Sequence, residues 1–489
     1  MTDSQPKLDL RRARLTTGAL CVVFFALYSA VSLLRFANLG ASGYDLGIFT
    51  QAVRAYAEGR APIAELKADG YHLLGDHFHP VLALLAPFYK LFPTPATLLV
   101  GQALLFAVAV WPITRVAMQR LGLVLGAAVG AAFGLSFGAQ QAVLFDFHEI
   151  AFSVPLLAFS VSALLQRRWL PATLWALPML LVKEDQFLII AAIGAYIFWE
   201  GGRRVGAMLA VGAAAAGALT LFVIIPSFNV EGQYDYLNSV APESNGLLRL
   251  LVPREKWELL FILFAITAFV AARSPLALLV ALPLAARFWA VKPAYWSTEY
   301  QYNAILMPVL FAAFLDGLGR LQRDQWWRRA VARVRIGRLR GNWLGEGSRL
   351  SLVAVAALLA IAVGWTVEEQ PIGQLARPAT WEAPRNAAEV RYVLASVPDG
   401  ASVAADNLVA PYLVTRAQVY LFPDALVMGT RPAWVLVKDD PGGWPISPKE
   451  YAKHVAALPG QGYIAQIHSA GLRLYRLTRP TVGVTPVAQ

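Results

Sequence analysis

The chain is 489 residues long, with 57% hydrophobic and only 15% charged residues, against roughly 25% charged in an ordinary soluble protein. That balance excludes a water-soluble globular protein. Lys and Arg total 42 against 31 Asp and Glu, a net charge of +11, but the basic residues sit in short loops between apolar stretches. They read as membrane-orientation signals, not as contacts to nucleic acid. The single cysteine, Cys21, lies inside the first apolar stretch, so neither an intramolecular disulfide nor a thiolate zinc cluster is possible.

Residues 1–17 carry Lys7, Arg11, Arg12 and Arg14 ahead of an apolar span from Gly18 to Phe36. This span is too long for the apolar core of a signal peptide and reads as an uncleaved anchor with a cytoplasmic N-terminus. The apolar stretches over 18–366, many near the roughly 20 residues that cross a bilayer, suggest about eleven crossings. Arg115 to Arg120, Arg167 with Arg168, Arg203 with Arg204, Arg273, and the basic loop 319–348 then fall inside. In this topology basic residues outnumber acidic ones inside and the reverse holds outside. The loop 319–348 reads as a topology determinant that meets lipid headgroups.

Residues 38–95 form a long first external loop, with an amphipathic run from Leu46 to Glu58 and a second after Pro80, suited to lying on the outer membrane surface. Trp169 to Trp199 reads as a short hairpin broken at Lys183-Glu184-Asp185, tip outside. After Thr366 the hydropathy drops, and residues 367–489 read as a small extracytoplasmic α/β domain. Strands are expected at Ala401 to Ala405, Gln418 to Phe422 and Trp434 to Lys438, with helices near Ala387 to Ser396 and Pro448 to Leu458. A terminal hairpin is expected within Gly462 to Leu477. The expected fold is thus a polytopic α-helical membrane protein carrying a small C-terminal α/β domain.

Four polar clusters interrupt the apolar sequence, and the arginine-based topology puts all of them outside. Ionisable residues in or at the edge of a membrane are costly and usually face a cavity, so a shared external cavity is expected. In Gly43-Tyr44-Asp45-Leu46, Asp45 is either a general base or the N-cap of the amphipathic helix that follows. In Asp76-His77-Phe78-His79-Pro80, an extended backbone would turn His77 and His79 to one face, toward a substrate phosphate or a divalent ion. In Phe145-Asp146-Phe147-His148-Glu149, Asp146 pairs with Glu149 on a helical face or with His148 on an extended one. Either pairing offers ligands to a hard cation such as Mg²⁺ or Mn²⁺. Lys183 would attract a phosphate while Glu184 and Asp185 orient substrate, unless the triplet neutralises itself. Arg287 and Lys292, among Tyr295, Trp296 and Tyr302, would pair with the phosphate of a lipid carrier. The sequence has no Walker, Rossmann, HExxH or GxSxG motif, which leaves nucleotide-driven transport and the common hydrolases without support.

Gly43-Tyr44-Asp45-Leu46-Gly47-Ile48-Phe49, Asp76-His77-Phe78-His79-Pro80, Phe145-Asp146-Phe147-His148-Glu149 and Lys183-Glu184-Asp185, in that order, resemble a bacterial membrane-protein family, domain of unknown function 2079. Its architecture is similar to that of the GT-C glycosyltransferases, which work at the outer face of the cytoplasmic membrane on polyprenyl-phosphate-linked sugars. The resemblance implies that Asp45 is the catalytic aspartate and that Asp146, His148 and Glu149 stand where a metal or donor-phosphate contact belongs. It also implies a polyprenyl-phosphate donor as partner, among membrane lipids, in cell-envelope glycan or glycolipid modification. A different class fits the same residues: a transporter or flippase whose external His and carboxylate cluster binds a cation or a lipid headgroup.

Overall fold

The computed structural model describes residues 9–238, 246–324 and 346–478. Most of the basic loop 319–348 and the start of the N-terminal segment lie outside them. The chain divides into two compact units. The first comprises Met1–Ser32, Leu74–Val81 and Gly101–Thr380. The second comprises Leu33–Leu73, Leu82–Val100 and Trp381–Gln489. The C-terminal α/β segment therefore forms one unit with most of the first loop, whereas the sequence reading had grouped that loop with the helical domain.

Among the described residues five helices are long and apolar enough to cross a membrane: Leu10–Ala37, Ala96–Leu121, Leu123–Leu144, Arg203–Phe228 and Ser348–Glu368. The other apolar stretches form shorter helices, such as Glu149–Leu165, Trp169–Leu181 and Pro275–Trp289. Proline starts several of the short pieces, at Pro178 and Pro275, where its fixed φ suits a helix start and its missing N–H costs nothing. The Trp169 to Trp199 hairpin is present: a helix to Ala176 continues as a 3₁₀ turn to Leu181, and Phe187–Trp199 returns.

Within the first unit, Gly126, Gly130 and Gly134 share one face of the helix Leu123–Gly134. A Cβ on Gly130 would stand 2.0 Å from Thr114 Oγ1, and one on Gly134 2.3 Å from the Phe24 ring. Small residues at this spacing let helices approach closely where lipid gives no hydrophobic driving force. Tyr28, fully buried, seals the same contact by donating to the Gly134 carbonyl at 2.6 Å.

In the second unit the strands are β1 (Ser402–Ala405), β2 (Gln418–Leu421), β3 (Trp434–Lys438), β4 (Tyr463–Ser469) and β5 (Leu472–Leu477), arranged β2-β1-β3-β5-β4. β1 pairs in parallel with β2 and β3, and β5 joins β3 and β4 antiparallel. The parallel strands are buried at nearly every position, as expected of strands covered on both faces. Helices Ala387–Ala395 and Pro448–Ala457 lie where the sequence placed them. Ser447 caps the second of these: its hydroxyl accepts from the Glu450 N–H and donates to the Glu450 carboxylate, a capping box that is visible in the sequence Ser447-Pro448-Lys449-Glu450.

The first loop fastens to this sheet. Gln51, on the helix Ile48–Ala57, donates to Val419 O at 2.8 Å and accepts from Leu66 N. Arg54 donates to Val414 O, and Tyr420 donates to Asp69. The amphipathic run expected from Leu46 to Glu58 is thus a real helix, and its polar side chains hold backbone groups of the sheet. From the glycine contact, Gly130→Val should destabilise the helical unit by about 1 to 3 kcal/mol through overpacking, read as a lower melting temperature in detergent. Gly212→Ala, a helical position where an added Cβ meets nothing within 4 Å, should not lower it and should raise stability by up to about 1 kcal/mol.

Candidate functional site

Three of the four polar clusters meet in the first unit. Lys183 adopts an extended backbone (φ −162°, ψ 148°) between the two arms of the hairpin, and Glu184–Gln186 starts the return as a 3₁₀ turn. The other break lies at Asp146, whose φ of +51° is a left-handed geometry that Asp tolerates better than most residues. His148 is extended before the turn Glu149–Phe152. Neither the helical nor the extended alternative for residues 145–149 therefore holds over the whole cluster.

Gln102, from the helix Ala96–Leu121, splints this break. Its amide donates to Ala142 O at 3.2 Å and Asp146 O at 2.5 Å, and its carbonyl oxygen accepts from His148 N at 3.0 Å. Gln102 is 1% exposed, and a lone amide in an apolar span was the signal that sequence reading passed over.

Glu184 organises the centre. Its Oε1 lies 2.6 Å from His77 Nδ1 and accepts from the Tyr234 hydroxyl at 2.7 Å, while Oε2 accepts from the Phe78 N–H at 3.0 Å. Tyr236 stacks on His77 with ring centroids 4.5 Å apart and donates to Asp76 Oδ1. Lys183 Nζ bonds Glu149 Oε1 at 2.8 Å. The Glu149 and Glu184 side chains are 3% and 2% exposed, and buried carboxylates this deep persist only when paired and hydrogen-bonded. Tyr234 and Tyr236 were not singled out from sequence, because nothing near them marks an apolar break.

Electrostatics assign charge within this network. Burial pulls the His77 pKa down, but Glu184 and then Asp76 outweigh it and raise it above 6.5. Burial lowers His79 to about 4 despite nearby Glu149, so His79 is neutral at pH 7. Burial disfavours the Lys183 cation, yet Glu149 with Glu184 and Asp185 holds its pKa well above the ordinary lysine value. Burial likewise opposes the Glu184 carboxylate, and His77 overrides it and depresses the pKa. Asp185 keeps an accessible surface, and desolvation raises its pKa. Gln186 Nε2 donates to it at 2.7 Å.

Two sequence-based assignments change. Among the described residues no group of three or more His, Cys, Asp or Glu side chains is arranged to hold a metal ion, so Asp146, His148 and Glu149 do not form a three-ligand set. Glu149 is committed instead to the Lys183 ammonium. Arg287 was expected to meet a phosphate, but its guanidinium donates to Tyr295 O, Tyr302 O and Asn303 Oδ1. It ties together the loop that follows its helix, and Lys292 lies over the Tyr295 ring at 5.7 Å.

Asp45 belongs to the second unit. It lies half-buried within the π-helical turn Gly43–Gly47, which Ser42 precedes in extended geometry. The next helix, Ile48–Ala57, begins at Gly47 with no side-chain cap. The N-cap alternative for Asp45 is therefore not what the fold uses. Gly43 N donates to Asn407 O at 2.7 Å and Tyr44 N to Asn407 Oδ1 at 2.8 Å. A Cβ at Gly43 would stand 2.7 Å from Ala410 Cβ, so only glycine fits there.

These features define a polytopic helical membrane protein of the GT-C fold. Two solved structures share that fold: ArnT from Cupriavidus metallidurans in the apo state, with a TM-score of 0.57 and 13% identity over 95% of this chain and 97% of that one, and the same protein bound to undecaprenyl phosphate, with a TM-score of 0.52 and 14% identity over 96% and 99%. Residues 35–474 match the family model described as "Predicted membrane protein (DUF2079)", and the chain belongs to that family. No curated protein matches the chain.

The raised His77 pKa has a testable sign. A group whose pKa rises on folding contributes stability that is complete below pH 6.5 and is lost as pH climbs through the folded value. The melting temperature of the wild type should fall over that window. Glu184→Gln, which returns His77 to the control of burial, should remove that component. Parallel pH profiles for the two proteins would contradict the His77–Glu184 pairing.

Proposed function

We propose that this protein transfers a sugar from a polyprenyl-phosphate carrier to an acceptor hydroxyl at the outer face of the bacterial cytoplasmic membrane, with the second unit extracytoplasmic. The observation that carries this reading is the GT-C fold over nearly the whole chain together with a half-buried carboxylate, Asp45, fixed by backbone hydrogen bonds early in the first loop. The related fold has been solved with undecaprenyl phosphate bound, which supports a lipid phosphate as the leaving group.

Each residue's role follows from its own surroundings. Asp45 takes the proton from the acceptor hydroxyl as that oxygen attacks the anomeric carbon. The bond between the anomeric carbon and the phosphate oxygen breaks, and the electron pair leaves with the phosphate. Attack from the face opposite the leaving group inverts the anomeric centre. His77 is held through Nδ1 by Glu184, whose charge raises the pKa of the imidazole and so favours its protonated form. Lys183 commits one of its three donors to Glu149. Within the first unit, Lys183 and His77 are the groups assigned to the departing phosphate, and the exposed Asp185 is assigned to the sugar.

Mass spectrometry of lipid-linked sugars and envelope glycans in a deletion strain, complemented with wild type or Asp45→Asn, tests the reading. A lipid-linked sugar should accumulate and a glycan should lose a residue in both the deletion and the variant, with normal membrane abundance. Loss of the base should lower transfer about 10² to 10⁴-fold. Unchanged pools in an expressing strain would contradict a transferase.

A further inference from the structure

We infer that Trp444 and Tyr44 form an aromatic wall next to Asp45 that receives a pyranose ring of the acceptor, so that the acceptor is a carbohydrate headgroup. This rests on Asp45 being the base that deprotonates that acceptor.

The argument begins with the sheet. From β1 the chain passes to β2 on one side, and β3 flanks β1 on the other. The crevice beyond the C-terminal ends of β1 and β3 is the switch point at which open α/β sheets take their ligands. In this chain the first loop occupies it. Gly43 and Tyr44 are clasped by Asn407, two residues past the end of β1. Trp444, six residues past the end of β3, lies 4.5 Å from the Tyr44 ring centroid to centroid, at an interplanar angle of 57°. Lys67 Nζ stands 5.0 Å from the same Tyr44 ring.

Trp444 nevertheless remains 45% exposed, although it is the largest side chain in its loop and already has an aromatic partner. Its ring packs on that of Tyr44, the residue that immediately precedes Asp45, while nearly half of its surface stays accessible. The carbon-bound hydrogens on one face of a pyranose carry slight positive charge and match the negative face of an aromatic ring, while the ring hydroxyls project sideways, where a carboxylate reaches them. An aliphatic alcohol would call for a deep apolar slot, and a peptide would call for exposed backbone donors and acceptors. The site offers an aromatic surface beside a carboxylate and a cation. An exposed tryptophan also serves as a membrane-interface anchor, and the test separates that role.

The full-length protein, reconstituted in nanodiscs, is titrated with glucosaminyl, galactosyl and mannosyl oligosaccharides, with farnesol, and with a Ser/Thr peptide. Wild type and Asp45→Asn should both bind at least one oligosaccharide, and neither farnesol nor the peptide. Trp444→Ala should weaken that binding about tenfold, and Trp444→Phe should restore it to within about threefold. The inference is overturned if wild type binds no oligosaccharide, if farnesol or the peptide binds in its place, or if Trp444→Ala binds as wild type does. It is also overturned if Trp444→Ala only reduces retention on anionic vesicles, which would make Trp444 an anchor. If Asp45→Asn blocks glycan transfer in cells while Trp444→Ala leaves oligosaccharide binding intact, the inference fails and the transferase reading stands. If binding depends on Trp444 while the cellular glycans of the Asp45→Asn strain are unchanged, the transferase reading fails and the aromatic site stands.

Discussion

The His77 cluster of the first unit depends on Glu184, a carboxylate 2% exposed that accepts from a histidine, a tyrosine hydroxyl and a backbone amide. An unpaired carboxylate at this depth would protonate rather than stay charged. Those three donors keep it ionised, and its charge in turn raises the His77 pKa. The Lys183–Glu149 pair solves the same problem one residue away. A buried ion pair is weak evidence for stability, because desolvation offsets most of the Coulomb gain. What this one supplies is fixed geometry: segments 107 and 34 residues apart in sequence are held in one register by charge. Cations positioned and desolvated before any ligand arrives suit the stabilisation of a leaving phosphate.

The second unit meets a different constraint. Just past the end of β1, Asn407 holds the first loop at Gly43 and Tyr44. The α/β segment thereby becomes the support of the turn that carries Asp45, with Asn407 as the clasp. A catalytic carboxylate on a long loop would otherwise sample many geometries, whereas a misplacement of 1 Å is costly in rate. The backbone of residues 43 and 44 is tied to a sheet, which is a rigid element.

Much of this was legible in the sequence. The strands stand out as short β-branched runs between turns, and Ser447-Pro448-Lys449-Glu450 announces its helix. The polar clusters at Asp76, Asp146 and Lys183 stand out because apolar surroundings make each of them costly. What sequence does not encode locally is pairing: nothing near His77 names Glu184, and nothing near Tyr44 names Asn407 or Trp444. Gln102 and Tyr234 act through hydrogen bonds made across the fold, so their local context looks ordinary. Three ligating residue types stand within four positions at Asp146, His148 and Glu149, but nothing local shows that Asp146 is left-handed or that Lys183 takes Glu149. Hydropathy senses apolar length and not where a helix breaks, so the shorter apolar helices such as Glu149–Leu165 and Pro275–Trp289 are not delimited by it.

The central claim is that the His77–Glu184 and Lys183–Glu149 pairs hold cations ready for a lipid phosphate. Native mass spectrometry of the full-length protein with added undecaprenyl phosphate, compared with undecaprenol, tests it most directly. The account predicts retention of the phosphate lipid over the alcohol by wild type, and loss of that preference in Lys183→Gln and His77→Asn with the fold intact. Equal retention of both lipids by wild type, or an unchanged preference in both variants, would contradict it.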